Sequence, residues 1–279
     1  MNLNGYIDGL EKRAAENIKA EQGDFVLDGL LHCGKCGTPK QVRVMIFDKE
    51  RTPYCLCKCE AEKREREAEE RRRLAFERQI KEYRRMGFPE SEMQDWTFAN
   101  ANGTNEKLMK AMQNYVANFG ELRKQGKGLL LFGTVGTGKT YAAASIANAL
   151  IDRGYSVLMT NFARVANTVS GMFEGKQEYY DSLNRFPLLV LDDLAAERKT
   201  EYMSEIVYNV VDSRYRAGLP LIVTTNLSSD ELKHPSDIAY QRTFSRLYEM
   251  CVPVEFAGKD QRAEKLKADI QPMKDLLGL

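Results

Sequence analysis

One stretch governs what this chain can fold into: LLLFGTVGTGKT, Leu129 to Thr140, an apolar run that breaks into glycines and closes on a lysine and a threonine. Gly133, Thr134, Val135, Gly136, Thr137, Gly138, Lys139 and Thr140 satisfy the pattern GxxxxGK[ST], with strand-like residues before it and an alanine-rich helical run after it. Glycines let successive backbone N–H groups curl round phosphate oxygens, and the start of the following helix adds its own donors and dipole. In such a loop Lys139 reaches the β- and γ-phosphates of a nucleoside triphosphate and the Thr140 hydroxyl ligates Mg²⁺. Tyr141 completes the expected nucleotide-binding set.

From about residue 93 onward the chain alternates between two periodicities. A helix is expected over 105–124, then strand GLLLFG, helix 139–151, strand SVLMT, helix 161–174, strand PLLVLDD, helix 200–217 and strand LPLIVTTN. Strands alternating with helices predict an α/β fold, a parallel sheet flanked by helices on both faces. Within that frame LLVLDD ends a buried strand on two carboxylates, where a ligand crevice opens. Asp192 is the expected Mg²⁺ partner through water, and Asp193 the group that orients or activates the attacking water. Asn226, at the end of LIVTTN, can hold that water or the γ-phosphate without competing for the metal. Further on, YQRTFSRLYEM places Arg242 and Arg246 four apart on one helical face; a guanidinium suits developing phosphoryl charge and can be supplied by a neighbouring subunit, though either is equally read as a surface arginine.

Composition excludes some classes of function. Across 279 residues, 41 basic and 40 acidic side chains leave a net charge of +1, so overall charge selects no partner. No apolar run approaches the ~18 residues of a membrane span, and the start lacks the basic-then-apolar order of a signal peptide. The expectation is a cytoplasmic protein with no membrane partner. Residues 1 to about 30 carry weak helical signals, EKRAAENIKAEQ by propensity and FVLDGLLH by an apolar face. From Glu60 to about Arg85 the chain has neither proline nor glycine and many i,i+4 charge pairs, which predicts a long solvated helix acting as a spacer.

Five of the six cysteines, at 33, 36, 55, 57 and 59, fall within 27 residues. In a reducing compartment such crowding points to a metal rather than to disulfides. CGKCG has the form of a zinc knuckle, and YCLCKC returns three thiols after an 18-residue gap bridged by strand-like QVRVMIFD. Zinc takes four thiolate or imidazole ligands in a tetrahedron. Cys33, Cys36, Cys57 and Cys59 are the favoured set, with Cys55 paired to Cys57 as the rival; His32 reads as a surface histidine and Cys251 as a core residue. Trp96 and Phe98 either staple the linker to the ATP-binding domain or pack on the base.

GTVGTGKT, LLVLDDLAAER, VDSRY, IVTTNLS, YQRTFSRL and VPVEFAGKDQR in this order resemble the AAA+ ATPase domain of the DnaC/DnaI helicase-loader family, which transposition helper ATPases of the IstB type share. The resemblance covers about residues 93–265. Beside the zinc expected from the cysteine spacing, it implies ATP and Mg²⁺ as cofactors and three associations: the hexameric replicative helicase, single-stranded DNA, and further copies through the AAA+ domain. By position it makes Lys139 and Thr140 the Walker A residues, Asp192 and Asp193 the Walker B pair, Asn226 sensor 1, Arg246 the arginine finger and Arg262 a sensor 2 arginine. Leu194 stands where many AAA+ ATPases carry glutamate, and little chain remains for a helical lid. The implied organisation is a zinc-binding, helicase-interacting module over 1–60, a charged linker over 61–92 and the ATPase over 93–279. The transposition branch usually begins with a helical segment without cysteines, so the cluster favours the loader. For single-stranded DNA, Arg164, Lys176, Tyr179, Tyr180 and Arg185 are the candidates.

Overall fold

The computed structural model describes residues 20–46, 49–88, 90–101, 105–194, 200–235 and 238–261, with 263, 270, 274, 276 and 277. Most of EKRAAENIKAEQ, Arg262 and nearly all of the segment where a lid would follow lie outside the described residues. The chain divides into two compact units, Met1–Glu77 and Arg78–Leu279.

In the first unit, β1 (Phe25–Leu27) and β2 (Leu30–His32) form an antiparallel hairpin. This overturns the helical reading of FVLDGLLH. Asp28 and Gly29 both take positive φ, 50° and 75°, the geometry of the tight hairpin turn that an Asp-Gly pair favours. A second hairpin, β3 (Val44–Ile46) with β4 (Lys49–Arg51), occupies the expected strand region QVRVMIFD and its return. Helix α1 (Lys58–Gly87) runs 30 residues. Its i,i+4 pairs, such as Arg64–Glu60 at 3.5 Å, are exposed and worth only tenths of a kcal/mol each, so the helix rests chiefly on good helix formers uninterrupted by Gly or Pro.

The second unit is built on five parallel strands: β5 (Gly128–Phe132), β6 (Val157–Asn161), β7 (Leu188–Leu194), β8 (Leu221–Thr225) and β9 (Cys251–Glu255), ordered β6-β7-β8-β5-β9. Side chains along β5 alternate between faces. Leu130 and Phe132 join one buried cluster, Leu129 and Leu131 the other. On the second face lie α2 (Glu106–Ala117), α3 (Phe119–Lys124) and α4 (Lys139–Ile151), the last presenting fully buried Ala142, Ala143, Ala144 and Ala147. On the first face lie α5 (Phe162–Ser170), α6 (Lys176–Ser182), α7 (Glu201–Arg216), α8 (Ser229–Lys233) and α9 (Ile238–Met250).

Three boundaries depart from the periodicity. The expected helix 105–124 breaks at Asn118, whose φ of −100° and ψ of 11° lie outside the helical well. The expected helix 161–174 stops at Ser170, and a Gly171–Gly175 turn reverses the chain into α6. EMCVPVEF, read only as apolar, supplies β9; a proline is admissible there because β9 is an edge strand. At the opposite edge the end of α1 lies close to β6, where a Cβ added to Gly87 would stand 2.5 Å from the Val157 carbonyl oxygen. Among the described residues no helix is long and apolar enough to cross a membrane.

Candidate functional site

The carboxyl ends of β5, β7 and β8 open on one cleft of about 330 Å³. Its lining includes Gly136, Gly138, Lys139, Thr140 and Tyr141 from the glycine loop and α4, and Asp193 and Asn226 from the neighbouring strands. The loop needs its glycines. Gly133, Gly136 and Gly138 have φ of 129°, 75° and 94°, and a Cβ at Gly133 would stand 2.4 Å from the Phe256 carbonyl oxygen. No side chain caps the start of α4, so its first N–H groups face the loop. Lys139 is buried, and its ammonium donates to the Gly133 and Thr134 carbonyls at 2.9 and 2.7 Å. Thr137 donates to Thr134 O at 2.9 Å, tying the turn from within. These contacts hold a lysine, the one cation of the loop, beside donors suited to an anion.

Opposite the loop, β7 carries an irregularity in its pairing with β8 between Leu191 and Leu194. Asp193 there has a left-handed φ of 56°, a conformation that aspartate tolerates better than most residues, and the local kink turns its side chain toward the cleft. Thr224 fixes the pair. Its hydroxyl donates to Asp192 Oδ1 at 2.6 Å and accepts the Asp193 N–H at 2.9 Å. Asn226 Nδ2 approaches Asp193 Oδ1 at 3.5 Å, so the two groups expected to govern water sit side by side. Asp192 is half-buried and does not line the cleft itself. The sequence reading noted the two threonines of IVTTN without giving Thr224 a task; only strand register shows that it bridges both carboxylates.

Two residues were not anticipated, one packed against the glycine loop and one lining the cleft. Gln261 lines it and donates its backbone N–H to Gly136 O at 2.9 Å, while Asp260 lies against Gly136 closely enough that a Cβ there would meet Oδ1 at 1.9 Å. Trp96 lines it as well, stacked on Tyr141 with ring centroids 5.6 Å apart. Tyr141 donates to Thr97 O at 2.8 Å, and Asn148 donates to Met93 O and Trp96 O. The segment before the ATP-binding unit is therefore both stapled to α4 and exposed to the ligand space.

Arg242 and Arg246 line a different cleft, of about 560 Å³, which shares no residue with the first. Arg242 is exposed. Arg246 pairs with Asp212 Oδ1 at 2.7 Å and lies over the Tyr208 ring at 4.4 Å from its centroid. On the same helix as Asp212, α7, Arg214 is wholly buried and donates to the carbonyls of Leu183, Phe186 and Pro220, a structural clamp whose guanidinium burial pushes down to about 10.

In the first unit the sulfurs of Cys33, Cys36, Cys57 and Cys59 all lie within 4.8 Å of one another, while Cys55 instead contacts Pro39 O at 3.6 Å. A tetrahedral zinc–thiolate site has sulfurs about 3.8 Å apart, given Zn–S of ~2.3 Å; Cys33–Cys59 and Cys57–Cys59 measure 3.6 and 3.5 Å. Acidities fit the same ion. Backbone N–H groups of Cys36 and Lys35 lower the Cys33 thiol, and the Thr38 hydroxyl first, then the Cys59 and Thr38 backbones, lower Cys36 to about 5. Burial raises Cys57, and the Cys57, Cys33 and Cys36 sulfurs push Cys59 up to about 12. Two thiolates are favoured, one is opposed by burial and one by the neighbouring sulfurs, a conflict that a divalent cation removes. Asp24 braces the knuckle, accepting from Gly34 N at 3.0 Å and from Lys40 Nζ at 2.6 Å.

Of the candidate DNA contacts, Tyr180 is 4% exposed and cannot serve as a stacking platform. Lys176 is exposed and lies over Tyr202 at 5.8 Å; Arg185 is exposed beside Phe186.

A family model described as IstB-like ATP binding protein matches residues 61–265. The chain is 27% identical over 167 residues to the replicative helicase loader DnaI of Bacillus subtilis, covering 56% of this chain and 53% of that protein. It is 33% identical over 107 residues to an insertion-sequence ATP-binding protein of Sinorhizobium fredii, covering 37% and 35% of the two chains. It spans about half the length of the first relative and about a third of the second. A crystal structure of DnaI superposes with a TM-score of 0.53 at 24% identity, covering 64% of this chain and 98% of that one, a likeness of fold.

Proposed function

Because this chain belongs to the IstB-like ATP-binding family, we propose that it is a DnaC/DnaI-type ATPase that loads a replicative helicase onto single-stranded DNA. The observation that carries the reading is the array in the first cleft, where Lys139 and the uncapped start of α4 face an Asp193–Asn226 pair set by Thr224. Lys139 supplies the ammonium for the β- and γ-phosphates, and Asp193 and Asn226 orient the attacking water. Thr140 and Asp192 are the residues that would hold Mg²⁺, which neutralises phosphate charge when bound. Arg246 belongs to a second cleft and so acts on the nucleotide of a neighbouring copy rather than on its own.

The four-cysteine cluster supports a loader over a transposition helper, since it equips the first unit with a rigid zinc-held surface for a protein partner. We assign helicase contact to residues 1–60, a spacer role to 61–92 and ATP turnover to 93–279. Immobilised full-length chain should retain the replicative helicase of its host from lysate, and single-stranded DNA with that helicase should raise ATP turnover. Retention of a transposase in place of the helicase would select the transposition reading.

A further inference from the structure

We infer that Tyr208, Asp212 and Tyr215 form a preorganised holder that presents the Arg246 guanidinium to the neighbouring subunit's nucleotide, making them positioning residues for turnover in trans; this rests on the reading of Arg246 given above. Tyr208, Asp212 and Tyr215 recur at i, i+4 and i+7, one stripe of α7. Arg242, Arg246 and Glu249 recur likewise on α9, and the two stripes meet.

One ion pair and two ring contacts seat the head group. Asp212 Oδ1 accepts from Nη2 at 2.7 Å, and the guanidinium carbon lies 4.4 Å from the Tyr208 centroid and 5.7 Å from that of Tyr215. Tyr215 is itself tied down, its hydroxyl donating to Glu249 Oε2 at 2.6 Å. An arginine has five N–H donors, so one carboxylate oxygen leaves others for a phosphoryl group.

Charge is not cancelled in the process. The other oxygen of Asp212 pairs with Arg216, so Arg216, Arg242 and Arg246 face Asp212 and Glu249, a local excess of one positive charge. Asp212 is 7% exposed and Arg246 25%, so the carboxylate is shielded while the guanidinium keeps an open side. A mobile arginine would pay its ordering entropy at the moment of reaction; one already seated does not. Arg242, one turn earlier, is exposed and has no comparable seat among the described residues.

The test uses full-length Tyr208→Ala, Asp212→Asn and Arg246→Ala, with Tyr208→Phe as the conservative variant. Steady-state ATP hydrolysis is measured with oligo-dT, beside titration with a fluorescent ATP analogue. Tyr208→Ala and Asp212→Asn are expected to lose about 10- to 100-fold in kcat with unchanged nucleotide affinity, against ~10³-fold for Arg246→Ala. Tyr208→Phe, which keeps the ring, should restore most of the loss. Mixing either slow variant with Asp193→Asn should recover turnover, because an intact cleft from one chain meets a seated arginine from the other. If Asp212→Asn fails to fold, Tyr208→Ala, at a half-exposed position, carries the same comparison. Full turnover in Tyr208→Ala with Arg246→Ala slow overturns the holder and leaves the finger; full turnover in Arg246→Ala overturns the finger itself.

Discussion

Replacing Thr224 by valine removes one oxygen and keeps the shape. That oxygen is fully buried, donates to Asp192 Oδ1 at 2.6 Å and accepts from Asp193 N at 2.9 Å. A hydrogen bond to a charged group contributes about 1.5–3 kcal/mol, and leaving an N–H without its acceptor costs about 1–3 kcal/mol. Against these stands about 1 kcal/mol for the added buried methyl group, so the net loss is about 1.5–5 kcal/mol. At roughly 2–4 °C per kcal/mol for a unit of this size, a loss near 3 kcal/mol lowers Tm by about 6–12 °C. Trp96, the single tryptophan, belongs to the second unit and stacks on Tyr141, so its fluorescence reports that unit's melting. Asp193, freed from its hydroxyl anchor, should also let turnover fall by about tenfold or more while affinity for an ATP analogue stays within about twofold. Thr224→Ser, which keeps the oxygen, should shift Tm by no more than about a third as much. A Thr224→Val protein melting within about 2 °C of its parent and hydrolysing ATP at the parent rate would refute the bridging role.

Lys139→Ala should abolish binding of a labelled ATP analogue, since the loop loses its only ammonium; unchanged fluorescence titration would remove the phosphate-loop assignment. Cys33→Ser should lose zinc by metal analysis while Cys55→Ser keeps one ion per chain, and the opposite result would reassign the ligand set. Gly87→Ala should lower the melting temperature of the second unit, because its Cβ would stand 2.5 Å from the Val157 carbonyl; an unchanged melt would mean that α1 does not lie on that edge. Lys40 foremost, with the Gly34 and Glu21 N–H groups, holds the Asp24 carboxyl at about 2, so its stabilisation is complete above the ordinary value and is lost only as pH falls through about 2. Asp24→Asn should therefore speed zinc loss to a chromophoric chelator by the same factor at about pH 8 and about pH 6, and a factor that vanishes at the lower value would contradict the depressed acidity.

The parallel sheet and its ligand cleft were legible because motif and periodicity agree over LLLFGTVGTGKT and LLVLDD. What the sequence hid follows from contacts distant in the chain. Thr224 is an ordinary strand residue until register sets it beside Asp192 and Asp193, 32 and 31 positions away. Gln261 and Asp260 reach the glycine loop only because β9 runs parallel to β5. FVLDGLLH misled in the other direction: its apolar spacing fits a helix, but the local φ preference of Asp28–Gly29 closes a hairpin first. Tyr180 looked like an exposed platform because a tyrosine on a short helix carries no mark of which side faces the core. Spacing alone could not separate Cys57 and Cys59 from Cys55 and Cys57, both pairs being two apart; Cys59 lies in the first turn of the helix Lys58–Gly87, and that change from extended chain to helix brings its sulfur to 3.5 Å from Cys57.

The strand that carries the glycine loop is seated between the last two strands of the sheet to be synthesised. Gly128–Phe132 pairs with Leu221–Thr225 on one side and Cys251–Glu255 on the other. During translation, both edges of that strand stay bare until roughly 90 further residues have been made, and one edge until about 120 have. A nascent chain thus exposes the run LLLF while roughly 90 to 120 further residues are added, a segment that favours pairing with other chains. Nucleotide cannot stabilise the growing protein during that interval, because the loop has no fixed strand to spring from. Competence to bind ATP arises abruptly once Cys251–Glu255 is in place, and a chain stopped before Cys251 would be a substrate for chaperones rather than a weak ATPase.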